Sequence, residues 1–195
     1  MNILIDELPE TVRIGPLTYP IRTDFRIWIM LELLLNDEDV AEEDKVIGAL
    51  ELVYESPLID AAQALERLIW FYRCGREETI ASGELDETEA VYSYDYDAEY
   101  IYAAFMSQYG IDLQTAQLHW WQFRALMRGL REDNLFVKIM GYRAMKLPPD
   151  MPKEQKSFYT KMKTLYALPR SQSEREKMSD IEAALLGSGD VSSVL

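Results

Sequence analysis

The chain has 195 residues, 48% hydrophobic and 11% aromatic, enough apolar material for the core of one ordinary domain with or without a tail. A formal net charge of -14 argues against nucleic-acid binding, where phosphate contacts need clustered Lys and Arg, and a single cysteine, Cys74, rules out an intrachain disulfide. No apolar run approaches the ~18 residues of a membrane span, and "MNILIDELPE" lacks the pattern of a signal peptide, so a soluble intracellular protein is expected.

The chain opens with short extended pieces. "NILI" and "TVRI" flank the turn-prone Asp6-Glu7-Leu8-Pro9, and "GPLTYPIR" adds a Gly-Pro turn before another strand. Pro16 and Pro20 suit edge positions. Residues 1–22 thus read as an N-terminal β element.

At Thr23 or Asp24 the apolar period changes. Either residue can cap a helix carrying Phe25, Trp28, Ile29, Leu31, Leu33 and Leu35. "NDEDVAEED" supplies a turn and the acidic start of a second helix through Val46, Leu50 and Val53, which Ser56-Pro57 breaks. A third helix is predicted from about Leu58 to Cys74, with Ala61, Leu65, Leu68 and Tyr72 as its stripe and Gly75 as its stop. The charge-rich "GREETIASGELDETEA" has no period and reads as a flexible acidic loop.

Beyond that loop, Val91 to Tyr94 read as a short extended piece and Asp95 as the N-cap of a helix ending at Gly110, with Ile101, Phe105 and Tyr109 four apart. Asp112 is expected to cap the next helix and Asp133 a further one over Asn134 to Lys146. Pro148, Pro149 and Pro152 make a rigid break. A basic amphipathic helix from Lys153 to Ala167 then places Phe158, Met162 and Leu165 on one side. Residues 23–169 form the helical domain on this reading. Residues 170–195 hold a tail helix with Met178, Ile181 and Leu185 at helical spacing, ending in Gly and Ser. The fold class is mainly α: a helical bundle of at least seven helices with a small N-terminal β-hairpin. Trp28, Leu65, Phe105, Trp120, Phe123 and Met127 are the expected core.

The stretch "LHWWQFRALMRGL" concentrates the only histidine, His119, and two of the four tryptophans. Trp120, Phe123, Met127 and Leu130 recur at steps of three and four, a core-facing helical stripe. Arg124, Arg128 and Arg131 fall on another face, either solvated or paired with an acidic partner. A catalytic histidine needs an orienting group and a nucleophile within reach, and neither is suggested by the local sequence. One His and one Cys leave no zinc set. Asp95, Asp97 and Glu99 alternate, so only Asp95 and Glu99 would share a helix face, and "DEDVAEED" lacks the glycine of a calcium loop. No Gly-rich phosphate cradle occurs. The expectation is a protein without catalytic residues, cofactor or metal; an enzyme working through its carboxylates would need a cleft of converging acids.

Charge is unevenly placed. Residues 32–99 hold 20 Asp/Glu against 4 Lys/Arg, and residues 118–178 hold 6 against 13. The two regions are either separate solvated faces or meet each other, within a chain or between copies, which would give self-association weakened by salt. The tail helix either folds back on the domain or docks on a partner.

The blocks "YDYDAEYIYAAFMSQYGIDL", "LHWWQFRALMRGL" and "FVKIMGYRAMKL", with "TDFRIWIMLELLLND", "FYRCG" and "LYALP" in support, resemble a family of tail-assembly proteins from long-tailed phages and prophages of Gram-positive bacteria. The resemblance covers residues 1–169. It implies a chaperone of the tape-measure protein acting in the host cytoplasm, with tail-tube subunits as further partners and no catalytic residues. The alternative it leaves open is a structural tail component, a terminator or connector subunit. The client-binding candidates are Phe158, Met162 and Leu165 with Met178, Ile181 and Leu185.

Overall fold

A computed structural model describes residues 2–76 and 91–169. In chain order these form β1 (Thr11–Ile14), β2 (Leu17–Pro20), α1 (Phe25–Leu35), α2 (Glu42–Val53), α3 (Ala61–Tyr72), α4 (Ala98–Tyr109), α5 (Trp120–Arg128), α6 (Leu135–Ala144) and α7 (Lys153–Leu165). The mainly helical class and the small hairpin agree with the sequence reading. The acidic segment 77–90 and the predicted tail helix, with Met178, Ile181 and Leu185, lie outside the described residues.

β1 and β2 pair antiparallel with Val12 opposite Tyr19, turning at Gly15, whose φ of +56° a side chain would resist. Val12, Ile14 and Tyr19 point inward. The turn is tied to α3 by a bond from the Gly15 amide to Gln63 Oε1 at 2.9 Å. "NILI" is not a strand. Residues 2–6 make a turn closed by Ile5 and Asp6 amides on the Asn2 carbonyl, because a two-residue offset brings the Asn2 side chain onto the Leu4 amide as well.

α1 starts where its cap predicts, with Asp24 accepting from the Arg26 amide at 2.8 Å. α2 opens on Glu42, Glu43 and Asp44, which favour the positive helix end. α3 is capped by Asp60, which accepts from the Gln63 amide at 3.0 Å.

Three later boundaries differ from expectation. α4 is preceded by Asp97, not Asp95, and the Asp97 carboxylate makes no cap bond because it is turned into the interior. α5 begins at Trp120 rather than after Asp112. Asp112 instead closes a single turn, accepting from the Gln114 amide at 2.9 Å on its side chain and from the Ala116 amide at 2.8 Å on its carbonyl. Arg26 then occupies the carbonyls of Leu113, Gln114 and Ala116, and Leu118 and His119 run extended beside the start of α1. α6 is capped by Asn134, one residue later than Asp133, through the Phe136 amide. Val91 to Tyr94 pair with no strand among the described residues.

The core is a run of stacked rings from four helices. Phe105 of α4 lies 5.1 Å from Phe123 of α5, which lies 4.8 Å from Phe25 of α1. Trp120 stacks on Trp28 at 6.1 Å, and Trp28 on Phe71 of α3 at 4.7 Å. Offset stacking at these spacings adds to the area each ring buries. Trp28, Phe105, Trp120 and Phe123 are fully buried as predicted, whereas Leu65 and Met127 are only half-buried. Ala64 and Phe71, one residue before Leu65 and Tyr72, hold the inward face of α3. α7 packs on α6 alone among its larger contacts and buries none of its residues.

Candidate functional site

His119 sits at the N-cap of α5, outside the helix the sequence placed it in. Its Nδ1 accepts from the Trp121 amide at 3.0 Å, while Gln122 Oε1 accepts from the His119 amide at 3.1 Å, a reciprocal capping arrangement. Nε2 lies 3.1 Å from the Pro9 carbonyl. The tautomer follows: Nε2 carries the hydrogen and donates, and Nδ1 keeps its lone pair. Burial holds the ring below the usual histidine range, only partly offset by Pro9 and Glu10. Both ring nitrogens are therefore committed to structure.

The tryptophans beside it close the end of α3. Trp120 Nε1 donates to the Tyr72 carbonyl at 2.9 Å, an acceptor that a helix C-terminus leaves open, and Trp121 Nε1 to the Phe71 carbonyl at 2.8 Å, which also accepts from the Cys74 amide. The chain there turns through Cys74 and Gly75, both at positive φ. Gly75 is needed twice over, since a Cβ at that position would fall 2.9 Å from the Trp121 ring.

Arg124 does not lie on a solvated stripe. Its guanidinium turns inward to Glu32 of α1 at 3.7 Å, lies 5.2 Å from the Trp120 ring and 5.8 Å from that of Tyr72, and bonds the Tyr92 hydroxyl at 3.3 Å. The Tyr72 hydroxyl donates to the same Glu32 carboxylate. Burial pushes the Glu32 carboxyl up, against the lowering effects of Tyr72 and Arg124. Burial likewise pushes the Tyr94 phenol up. Its hydroxyl and Arg124 Nε influence each other's ionisation, and neither has a hydrogen-bond partner among the described residues.

Arg128, at the end of α5, is exposed, and its charged form is disfavoured by partial burial and then by Arg124 and Arg76. Arg131 lies beyond the helix and pairs with Asp133 at 3.4 Å. The three arginines thus occupy three different environments, because α5 stops at Gly129 and Arg124 finds an internal carboxylate. Cys74 is half-buried, and burial raises its thiol, against the lowering effects of nearby arginines. Among the described residues no group of three or more His, Cys, Asp or Glu side chains converges as a metal site would. No helix of the described residues is long and apolar enough to cross a membrane.

The predicted client-binding residues of α7 divide. Met162 is half-buried, on the side that carries Tyr159 and Tyr166 to Tyr142 of α6. Phe158 and Leu165 remain exposed, at 48% and 64%. Glu154 and Lys161, both exposed, lie about one turn from Phe158 on the same side of the helix. Phe158 also meets Tyr142 of α6 edge-on at 6.1 Å, which leaves its outer edge and Leu165 as the exposed apolar part of this helix.

A family model described as bacteriophage Gp15 protein matches residues 4–168. The chain belongs to this bacteriophage protein family. The match takes in the hairpin and all seven helices and stops where α7 gives way to the final segment, so the family is defined by the body and not by residues 170–195. No curated protein and no solved structure matches the chain. Of the residues that carry the earlier resemblance, Leu118 to Trp121 fasten α1, α3 and α5 together, so in this chain that block serves the fold.

Two features of the site escaped the sequence. Glu32 and Tyr72 lie on apolar stretches and give no sign of meeting Arg124. The pairing of Asp97 with Arg143, 46 residues apart, has no local signal either.

Proposed function

We propose that this member of the bacteriophage Gp15 family is a tail-assembly chaperone that binds the tape-measure protein and keeps it soluble in the host cytoplasm until tail-tube subunits enclose it. The observation that carries the reading is the outer side of α7, where Phe158 and Leu165 stand exposed on a helix that buries none of its residues. A tape-measure chain is long, helical and apolar-striped, and would aggregate if left uncovered. An amphipathic helix with two large apolar anchors fits such a stripe in the manner of helix-to-helix recognition. Met162, beside them, adds a side chain that repacks against varied partners. The net charge of -14 keeps the complex dissolved. We read the protein as non-catalytic: His119 spends both ring nitrogens on the fold, and the Cys74 thiol is raised rather than activated.

The test is co-expression with the tape-measure protein of the same genome. Wild-type chain should keep that protein soluble and co-purify with it, and Phe158→Ser with Leu165→Ser should lose both effects. Absence of co-purification, together with stoichiometric amounts of this chain in purified particles, would favour a structural tail subunit.

A further inference from the structure

We propose that residues 174–186 fold back as a helix antiparallel to α7 and cover its exposed apolar side within the same chain. Three residues of α7 share that side. Phe158 and Leu165 are exposed at 48% and 64%, and Met162 is half-buried between them. Phe158 turns one edge to Tyr142 of α6 at 6.1 Å, so its other edge and Leu165 are what remains to be covered.

The sequence that follows α7 carries a matching pattern. Ser173 and Glu176 have the spacing of a capping box and Gly187 is a stop signal, so residues 174–186 read as a helix of the same length as α7. Its apolar stripe is Met178, Ile181 and Leu185. Up the chain these are three and then four residues apart. Down α7, Leu165, Met162 and Phe158 are likewise three and then four apart. Antiparallel helices meet in opposite chain directions, so one alignment sets Met178 beside Leu165, Ile181 beside Met162 and Leu185 beside Phe158.

The tether decides the occupant. Arg143 Nε holds the Tyr166 carbonyl at 2.6 Å, which fixes where the chain leaves α7. Residues 166–173 then connect the two helices, a link within the range of about 2–8 residues that joins antiparallel neighbours, and Pro169 keeps α7 from running on. A segment tethered so closely is present at an effective concentration on the order of millimolar, well above that of any second copy in dilute solution. Net charge favours the same contact, since residues 153–165 hold 4 Lys against 1 Glu and residues 174–186 hold 4 Asp/Glu against 2 Lys/Arg. A lone helix of this length is marginal in water, so its stripe must be buried for it to persist. The covered side is the client surface of the preceding reading, and on that reading the client displaces the final segment. The contact itself needs no client.

Hydrogen–deuterium exchange of the full-length chain, followed by mass spectrometry, tests it with the protein alone. In wild type, residues 174–186 should exchange at least ~10-fold more slowly than free chain, as a helix held by buried side chains requires. Phe158→Ser with Leu165→Ser should bring these residues to the free-chain rate without altering their own sequence. Ile181→Ser with Leu185→Ser should do the same and also speed exchange in α7. If the α7 variant misfolds by circular dichroism, the second variant decides, and unchanged exchange in α7 would then overturn the proposal. Protection should not depend on protein concentration. Free-chain exchange of residues 174–186 in wild type, or protection that survives the α7 substitutions in a folded chain, would overturn the contact. Protection that appears only as concentration rises would overturn it in favour of the final segment of a second copy. Loss of co-purification with the tape-measure protein would bear on the preceding reading alone.

Discussion

Arg143 of α6 holds Asp97, at the head of α4, through both guanidinium ends, at 2.6 and 2.9 Å, with the carboxylate wholly buried. Its remaining donors go to the Val91 and Tyr166 carbonyls, so one side chain fastens α4, α6 and the end of α7. Removing either partner strands a buried charge, and Asp97→Ala or Arg143→Met should cost about 3–5 kcal/mol. The double variant should cost less than the two singles added together. Urea unfolding of all three checks this, and simple additivity would show that the groups act independently.

Trp120 and Trp121 are predicted to matter in different ways. Trp120 is fully buried between Trp28 and Phe123, so Trp120→Ala should cost about 3–5 kcal/mol through the cavity it leaves. Trp121→Phe keeps most of the ring and removes one of two donors to the Phe71 carbonyl, which still accepts from the Cys74 amide at 2.9 Å, for a loss of about 0.5–1.5 kcal/mol. Thermal and urea melts measure both. An unchanged melting temperature for Trp120→Ala would contradict its place in the core.

Two glycines of similar φ should respond unequally to alanine. Gly110, at +67°, has nothing within 4 Å of a would-be Cβ, so Gly110→Ala carries only backbone strain of about 1–2 kcal/mol. Gly75, at +70°, adds the contact with the Trp121 ring at 2.9 Å. Gly75→Ala is therefore expected to lower the melting temperature clearly more than Gly110→Ala.

His119 should make stability depend on pH below neutrality. Its folded-state pKa is lowered from 6.5, so between those two values the unfolded chain binds more protons than the folded one. Stability from this residue is complete above about pH 6.5 and is lost as pH falls toward the folded value. His119→Asn keeps a capping acceptor without a titration. Unfolding of the two proteins at pH 7.5 and 5.5 should show wild type losing ground to the variant on acidification; equal losses would mean that the ring is not held neutral.

The sequence alone determined what repeats locally. The hairpin around Gly15, the starts of α1 and α2, the stop at Gly110 and the proline break before α7 follow from turn chemistry, caps and apolar period, which act over a few residues. The apolar stripe of α5 was legible for the same reason, as was the helical spacing of Phe158, Met162 and Leu165 on α7, but not that Met162 is half-buried while the other two stay exposed.

Only the tertiary structure decided where local rules competed with distant partners. Asp95 reads as the cap of α4, but the helix starts after Asp97, whose carboxylate Arg143 draws inward. Asp112 signals a helix that Arg26 forestalls by taking three of the carbonyls that follow. The arginine stripe divides because Glu32 and Tyr72, from two other helices, give Arg124 an internal site. His119 moves from helix interior to cap because Leu118 and His119 are held extended against Thr23 to Phe25, with bonds from the Phe25 amide to the Leu118 carbonyl and from the Trp120 amide to the Thr23 carbonyl. Each outcome is a contact between residues far apart in the chain, and such a contact leaves no period in a single sequence from which to read it.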